Sequence, residues 1–124
     1  MEVIKIKPTD DTPHVILDSE KDVFEISGRS LPEDVNDFFD PILSWLEKYK
    51  SAPNSPTNFV FKMQYFNTAS SKLILDVMLK LEELMEQGNE VKIHWYFEDG
   101  DEDMEEAGEE FSEIVEIPFE MHAF

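Results

Sequence analysis

The chain has 124 residues, 41% of them hydrophobic, which is enough for one core and predicts a single domain over residues 1–124. It lacks cysteine, which excludes a disulfide scaffold, a thiolate zinc site and a cysteine nucleophile. A net charge of −19 disfavours nucleic acid and anionic membranes as partners. With no signal peptide pattern and no apolar run of membrane-spanning length, we expect a cytoplasmic protein.

The first third of the chain is rich in strand-forming residues. Val3, Ile4 and Ile6 predict a short strand that ends before Pro8. The runs "TPHVILD" and "DVFEISG" follow, separated by the polar "SEKD". Two β-rich runs joined by a short polar segment predict a hairpin.

A helix start is predicted at "GRSLPED". Ser30 can cap it, and Pro32 suits its first turn. Apolar residues then recur at helical spacing over residues 35–49. Pro41 interrupts this run, which leaves two alternatives: the helix kinks there, or Asp40 caps a second helix.

The second half alternates strands and helices. "NFVFKMQYF" is apolar enough to predict a central strand, and a helix from about Thr68 to Gln87 ends at Gly88. "EVKIHWYFE" predicts the next strand, and "EIPFEMHAF" a short edge strand at the end of the chain. Between them lies an amphipathic helix in "DEDMEEAGEEFSEIV". Its predicted inward residues are Met104, Ala107, Phe111, Ile114 and Val115.

This order of elements predicts an α/β fold. Strand-helix-strand units imply right-handed crossovers and some parallel pairing. We therefore expect a mixed β-sheet of about four to six strands packed against about three to four helices.

Motifs for catalysis or metal binding are not found. His14, His94 and His122 are far apart in the sequence, and the acidic residues of segment 98–116 lack the spacing of a calcium loop. There is no nucleophile elbow, P-loop or dinucleotide fingerprint, and Arg29 is the only arginine. We therefore expect no enzyme, no cofactor and no metal site, although the acidic segment leaves weak cation binding open.

The strand-to-helix junction "YFNTASSKL" carries more polar side chains than one cap requires. Asn67, Thr68, Ser70 and Ser71 all lie at the start of the predicted helix, and Lys72 is the nearest base. One interpretation is a redundant cap, since Asn67 or Thr68 can accept from the following backbone N–H groups. The other is a phosphorylation site, because a helix N-terminus stabilises a phosphate.

Four motifs together resemble a known family: "TPHVILD", "ISGRSLPED", "FFDPILSWLEKY" and above all "YFNTASSK". In this order and spacing they are similar to the SiaC family of regulatory phosphoproteins. These small bacterial proteins are related in fold to STAS-domain anti-anti-sigma factors. The resemblance therefore implies a STAS-like domain and a partner-switching function.

The resemblance also implies partners and a site. A dedicated Ser/Thr kinase phosphorylates such proteins, a PPM/PP2C-type phosphatase removes the phosphate, and the unmodified form activates a diguanylate cyclase in c-di-GMP and biofilm signalling. Carried onto this sequence, the phosphoacceptor is Thr68, with Ser70 and Ser71 as secondary candidates between Asn67 and Lys72. A STAS-type anti-anti-sigma factor that binds an anti-sigma kinase is the alternative function. Nothing assigns a role to Arg29 beyond a local salt bridge or turn contact.

Overall fold

The computed structural model describes all 124 residues as one six-stranded sheet with three helices. The six strands lie in the sheet in the same order as in the chain. The first, second and third strands pair antiparallel, and the third to the sixth pair parallel, so the third strand has one neighbour of each kind. The element bounds are β1 Ile4–Ile6, β2 His14–Asp18, β3 Val23–Ser30, α1 Val35–Tyr49, β4 Thr57–Phe66, α2 Thr68–Glu86, β5 Val91–Phe97, α3 Glu102–Ile114 and β6 Phe119–Ala123. The predicted mixed α/β class is therefore confirmed, and so are the hairpin, the central strand β4 and the edge strand β6.

The helices cover one face of the sheet. Each crossover from β3 to β6 steps to the neighbouring strand in the same direction, and right-handed crossovers of this kind place their helices on the same side. Phe59 and Phe61 of β4 and Ile93 and Trp95 of β5 are fully buried in a core that includes residues of all three helices. The residues that alternate with them are exposed or half-buried. One face of the sheet is therefore packed and the other is open.

Helix α1 begins later than predicted. Asp34 is its N-cap and its side chain accepts from the backbone N–H of Asp37 at 3.0 Å. Ser30, the predicted cap, is instead the last residue of β3 and is fully buried. The chain stays non-helical around Pro32, since proline disfavours helical backbone at the residue before it. A single helix runs through Pro41, so no second helix begins at Asp40.

Helix α2 matches its prediction closely. It spans Thr68–Glu86 and buries the apolar face that the spacing predicts, including Leu73, Val77 and Leu81. Gly88 follows the C-cap with a φ of +100°, a conformation that glycine adopts without steric cost.

The inward face of α3 differs from the prediction at its end. Met104 and Phe111 are buried as expected, but Ile114 is 58% exposed. The helix ends at Ile114 and the backbone becomes extended at Val115, which is buried as predicted. None of the three helices is both long enough and apolar enough to cross a membrane.

Candidate functional site

The first turn of α2 begins one residue after the central strand β4. Asn67 joins the two elements and is the N-cap of the helix, with its side-chain oxygen accepting from the backbone N–H of Ser70 at 2.9 Å. Its carbonyl oxygen accepts from the N–H of Ser71 at 3.0 Å, and its own N–H donates to the carbonyl of Ser30. One residue therefore does the capping, and the other three polar side chains are not needed for it.

Those three side chains have different environments. Ser70 is fully buried, and its hydroxyl accepts a hydrogen bond from the Ser30 hydroxyl at 2.9 Å. The half-buried Ser71 donates to the carbonyl of Thr68 at 2.8 Å, a local helix contact. Thr68 is exposed, and its hydroxyl makes no hydrogen bond within the chain. Thr68 is therefore the hydroxyl at this junction that is both exposed and free of hydrogen bonds within the chain.

The "GRS" motif supports this junction from the neighbouring strand. A register shift between Gly28 and Arg29 sets Arg29 opposite Tyr65 in the parallel pairing of β3 with β4. The Arg29 guanidinium lies 5.4 Å from the centre of the Tyr65 ring, and its Nε donates to the carbonyl of Asp10. Arg29 thus makes a cation–π contact and a loop contact. Of the two expected alternatives, the loop contact is the one that forms, and the salt bridge does not. Together with the hydrogen bond from Ser30 to Ser70, these contacts join the "GRS" motif to the "YFNTASSK" motif, and the two serines are 40 residues apart in the chain.

A groove opens beside Thr68 between α2 and α3. Thr68, Ser71 and Lys72 form part of one wall, while Ile114 and Glu110 belong to α3 on the other. The lining is half apolar; its full set is Phe66, Asn67, Thr68, Ser71, Lys72, Leu75, Ala107, Glu110, Phe111 and Ile114. The exposed Ile114, which the sequence placed in the core, is therefore part of a surface that a partner side chain can fill.

The electrostatics of this helix end favour an added anion. A helix leaves its first backbone N–H groups without intrahelical acceptors. Here the Asn67 side chain accepts from that of Ser70, and those of Thr68 and Ala69 remain. The first turn of α2 carries no acidic residue, whereas that of α3 carries Glu102, Asp103 and Glu105. In a chain of net charge −19, the positive end of the α2 dipole is thus not compensated locally.

The structure thus brings the predicted site residues Asn67, Thr68, Ser70, Ser71 and Lys72 into one helix start, as their adjacency requires. Sequence reasoning missed the Ser30–Ser70 hydrogen bond and the contribution of α3 to the groove. Ser30 was visible as part of a matched motif. The groove residues of α3 carry no signal in the sequence, because their position depends on how α3 packs against the sheet.

Comparison with known proteins supports the family resemblance over almost the whole chain. A family model described as SiaC family regulatory phosphoprotein matches residues 6–124. An uncharacterised protein of Pseudomonas aeruginosa strain UCBPP-PA14 is 28% identical over 99% of this chain and 98% of its own length.

Solved structures agree with this. SiaC of Pseudomonas aeruginosa, 27% identical, superposes with a TM-score of 0.90 over all of both chains. A chain in the crystal structure of the diguanylate cyclase SiaD in complex with its activator SiaC, from the same organism, matches with a TM-score of 0.91. The match is 28% identical and covers 98% of this chain and 99% of the matched chain. The resemblance in the motifs is therefore confirmed by family model and by fold, and the chain belongs to the SiaC family of regulatory phosphoproteins.

Proposed function

We propose that this protein is a non-enzymatic regulator that binds and activates a diguanylate cyclase, and that reversible phosphorylation of Thr68 switches the activation off. A cognate Ser/Thr kinase adds the phosphate, a PPM/PP2C-type phosphatase removes it, and the output is c-di-GMP and biofilm signalling. The effector is proposed from the relative SiaC, which has been crystallised with the cyclase SiaD that it activates.

The observation that carries the choice of residue is the environment of Thr68. It is exposed at an uncapped pair of N–H groups, whereas the neighbouring Ser70 is fully buried and bonded to Ser30. A kinase must reach the hydroxyl oxygen, so Ser70 is a substrate only after the helix start unfolds. Ser71 is half-buried and its hydroxyl already donates to the carbonyl of Thr68, which makes it the weaker of the two accessible candidates.

A phosphate on Thr68 would change the surface and leave the helix in place. It adds about −1.5 to −2 charges at the helix N-terminus, where an anion is stabilised by about 0.3–1 kcal/mol. Lys72 lies one helical turn away on the same face and can pair with it. The fold therefore tolerates the modification.

The phosphate on Thr68 would, however, oppose the binding of a partner in the groove. Glu110 lines the same groove as Thr68, so a partner that covers both would have to bury a phosphate close to a carboxylate. The single positive charge of Lys72 cannot compensate both a phosphate dianion and Glu110. Burying uncompensated charge costs several kcal/mol, and each 1.4 kcal/mol weakens binding tenfold. Phosphorylation is therefore expected to weaken cyclase binding by more than about 100-fold.

Intact-mass analysis after treatment with the cognate kinase tests the residue. Wild type should gain one phosphate, Thr68→Ala should gain none, and the matched variant Ser71→Ala should still gain one. Phosphorylation of Thr68→Ala to the level of wild type would assign the switch to another residue.

A pull-down from native lysate, read by mass spectrometry, tests the partner. Wild type should recover a diguanylate cyclase, and Thr68→Glu should recover less of it. Recovery of an anti-sigma kinase without a cyclase would instead support the alternative function, that of a STAS-type anti-anti-sigma factor.

A further inference from the structure

A second cluster of functional side chains lies on the open face of the sheet, at the edge formed by β5 and β6. His94 belongs to β5, and Glu120 and His122 belong to β6. Parallel pairing sets His94 opposite Glu120, and Tyr96 opposite His122. His94 alternates along β5 with the buried Ile93 and Trp95, so its side chain is on the face that the helices leave uncovered.

The ligand atoms of these three residues converge. His94 Nδ1 and His122 Nε2 are 3.1 Å apart, and Glu120 Oε1 is 3.5 Å from the same His122 nitrogen. Each of the three residues has a ligand atom that lies within 4.8 Å of those of the other two. In a tetrahedral site with Zn–N bonds of about 2.0–2.1 Å, two ligand nitrogens are about 3.3 Å apart. The observed 3.1 Å is close to that value, so the two nitrogens are spaced to share one ion once the proton between them is released.

A hydrogen bond to Asn58, outside the cluster, orients the His94 ring. Its Nε2 lies 2.9 Å from the side-chain oxygen of Asn58, and since an amide oxygen only accepts, Nε2 must carry the proton. In the neutral imidazole this leaves Nδ1 unprotonated, so its lone pair accepts from the Nε2–H of His122 at 3.1 Å and is available to an ion once that proton is released. Metal-ligating histidines are oriented in the same way, by an N–H donated to a nearby oxygen.

The other two residues are also held in position. The His122 ring stacks on Tyr96, with 4.5 Å between ring centres and 19° between planes. Lys92 donates to Oε2 of Glu120 at 3.2 Å, which leaves Oε1 to face His122. Both flanking contacts fix a side chain without occupying the atom that would bind an ion. The positive charge of Lys92 opposes a bound cation, but the net charge of the chain is −19.

We propose that His94, Glu120 and His122 form a binding site for a divalent transition-metal ion of the Zn²⁺ type. Two imidazoles and one carboxylate suit this class of ion, whereas Ca²⁺ and Mg²⁺ require mainly oxygen ligands. Three protein ligands leave a fourth position for water or for a group from a partner. The ion would connect β5 to β6, which is the edge strand and pairs on one side only. Its consequence is therefore a firmer attachment of the last strand.

Zinc titration of the metal-free full-length protein, by calorimetry and by competition with a chromophoric chelator, tests the proposal. Wild type should bind one Zn²⁺ per chain with a rise in Tm, and a large excess of Mg²⁺ or Ca²⁺ should not compete. His94→Ala and His122→Ala should each weaken binding by more than about 100-fold, because loss of an outer contact alone costs about 10–100-fold. Asn58→Ala should produce that smaller, 10–100-fold loss.

His14→Ala is the matched control. His14 is the third histidine of the chain, lies on β2 beside Glu25, and should leave zinc binding unchanged. Two results would overturn the proposal: no saturable binding by wild type, or equal binding by wild type and His94→Ala. The second result would place the zinc at another site of the chain. Because neither test depends on Thr68 or on a cyclase, their outcome is independent of the proposed signalling function.

Discussion

Replacing Gly108 of α3 by alanine sets two physical effects against each other. Gly108 is buried against the sheet, and a Cβ added there would overlap Trp95 at Cδ1 and lie 2.7 Å from its Nε1 and 2.8 Å from Cε of Met121. Met121 can move its terminal methyl group. Trp95 cannot easily move, because it is fully buried and its Nε1 donates to the carbonyl of Met104 at 3.0 Å.

The sign of the effect follows from the magnitudes. In a helix interior, alanine is favoured over glycine by about 1 kcal/mol. Inserting a methyl group into a well-packed core costs about 1–3 kcal/mol, and losing the buried Trp95 hydrogen bond would add about 1–3 kcal/mol. We therefore expect Gly108→Ala to lower the free energy of unfolding by about 2 kcal/mol, which reverses the order of helix propensities.

Urea denaturation followed by tryptophan fluorescence measures this change. The midpoint should fall while the slope m stays constant, since the surface exposed on unfolding is unchanged. Glu109→Ala, at the exposed next position of the same helix, is the control and should change the stability by less than about 0.5 kcal/mol. If Gly108→Ala were as stable as wild type or more stable, α3 would not pack against Trp95 as described, and the groove beside Thr68 would have a different wall.

Substitutions at three further positions test the packing around the junction and the core. Asn67→Ala should cost about 1 kcal/mol of unfolding free energy in urea, and Asn67→Asp should retain most of it; equal stability of all three would exclude a capping role. Ser30→Ala leaves the fully buried Ser70 hydroxyl without its donor, so we expect a loss of about 1–3 kcal/mol, and a negligible loss would contradict the buried hydrogen bond. Tyr49→Phe removes the hydroxyl that bonds Thr57 and should cost about 1 kcal/mol. Burial raises the pKa of Tyr49 above its ordinary value of 10.0, so the wild type should lose stability as the pH rises above about 10, and thermal melts of Tyr49→Phe should lack that part of the loss.

The order of elements could be predicted because local patterns determine it. The alternation in β4 and β5 and the helical spacing in α2 are strong, and Gly88 marks the end of α2 at a positive φ. The start of α1 was less accessible, since Ser30, Asp34 and the proline between them all suit a helix start. The start of α1 is determined by tertiary contacts. Ser30 pairs with Phe66 in the sheet and hydrogen-bonds Ser70, so it cannot also cap α1.

The site was predictable only in part. Asn67, Thr68 and Ser70 are close together in the sequence, so their proximity could be predicted. Which hydroxyl is buried depends on β3, because its residue Ser30 is the hydrogen-bond partner of Ser70. The position of Ile114 depends on where α3 ends. The meeting of His94 with His122 depends on the register of two parallel strands, which no local spacing encodes.

The central claim, that the Thr68 hydroxyl controls binding of the effector, is tested most directly by one affinity measurement. The protein is prepared with phosphothreonine at position 68, and its Kd for the cognate diguanylate cyclase is compared with that of the unmodified protein by calorimetry. Circular dichroism checks that both are folded. We predict the same helix content and a Kd that is raised by more than about 100-fold in the phosphorylated form. Equal affinity of the two folded forms would contradict the account.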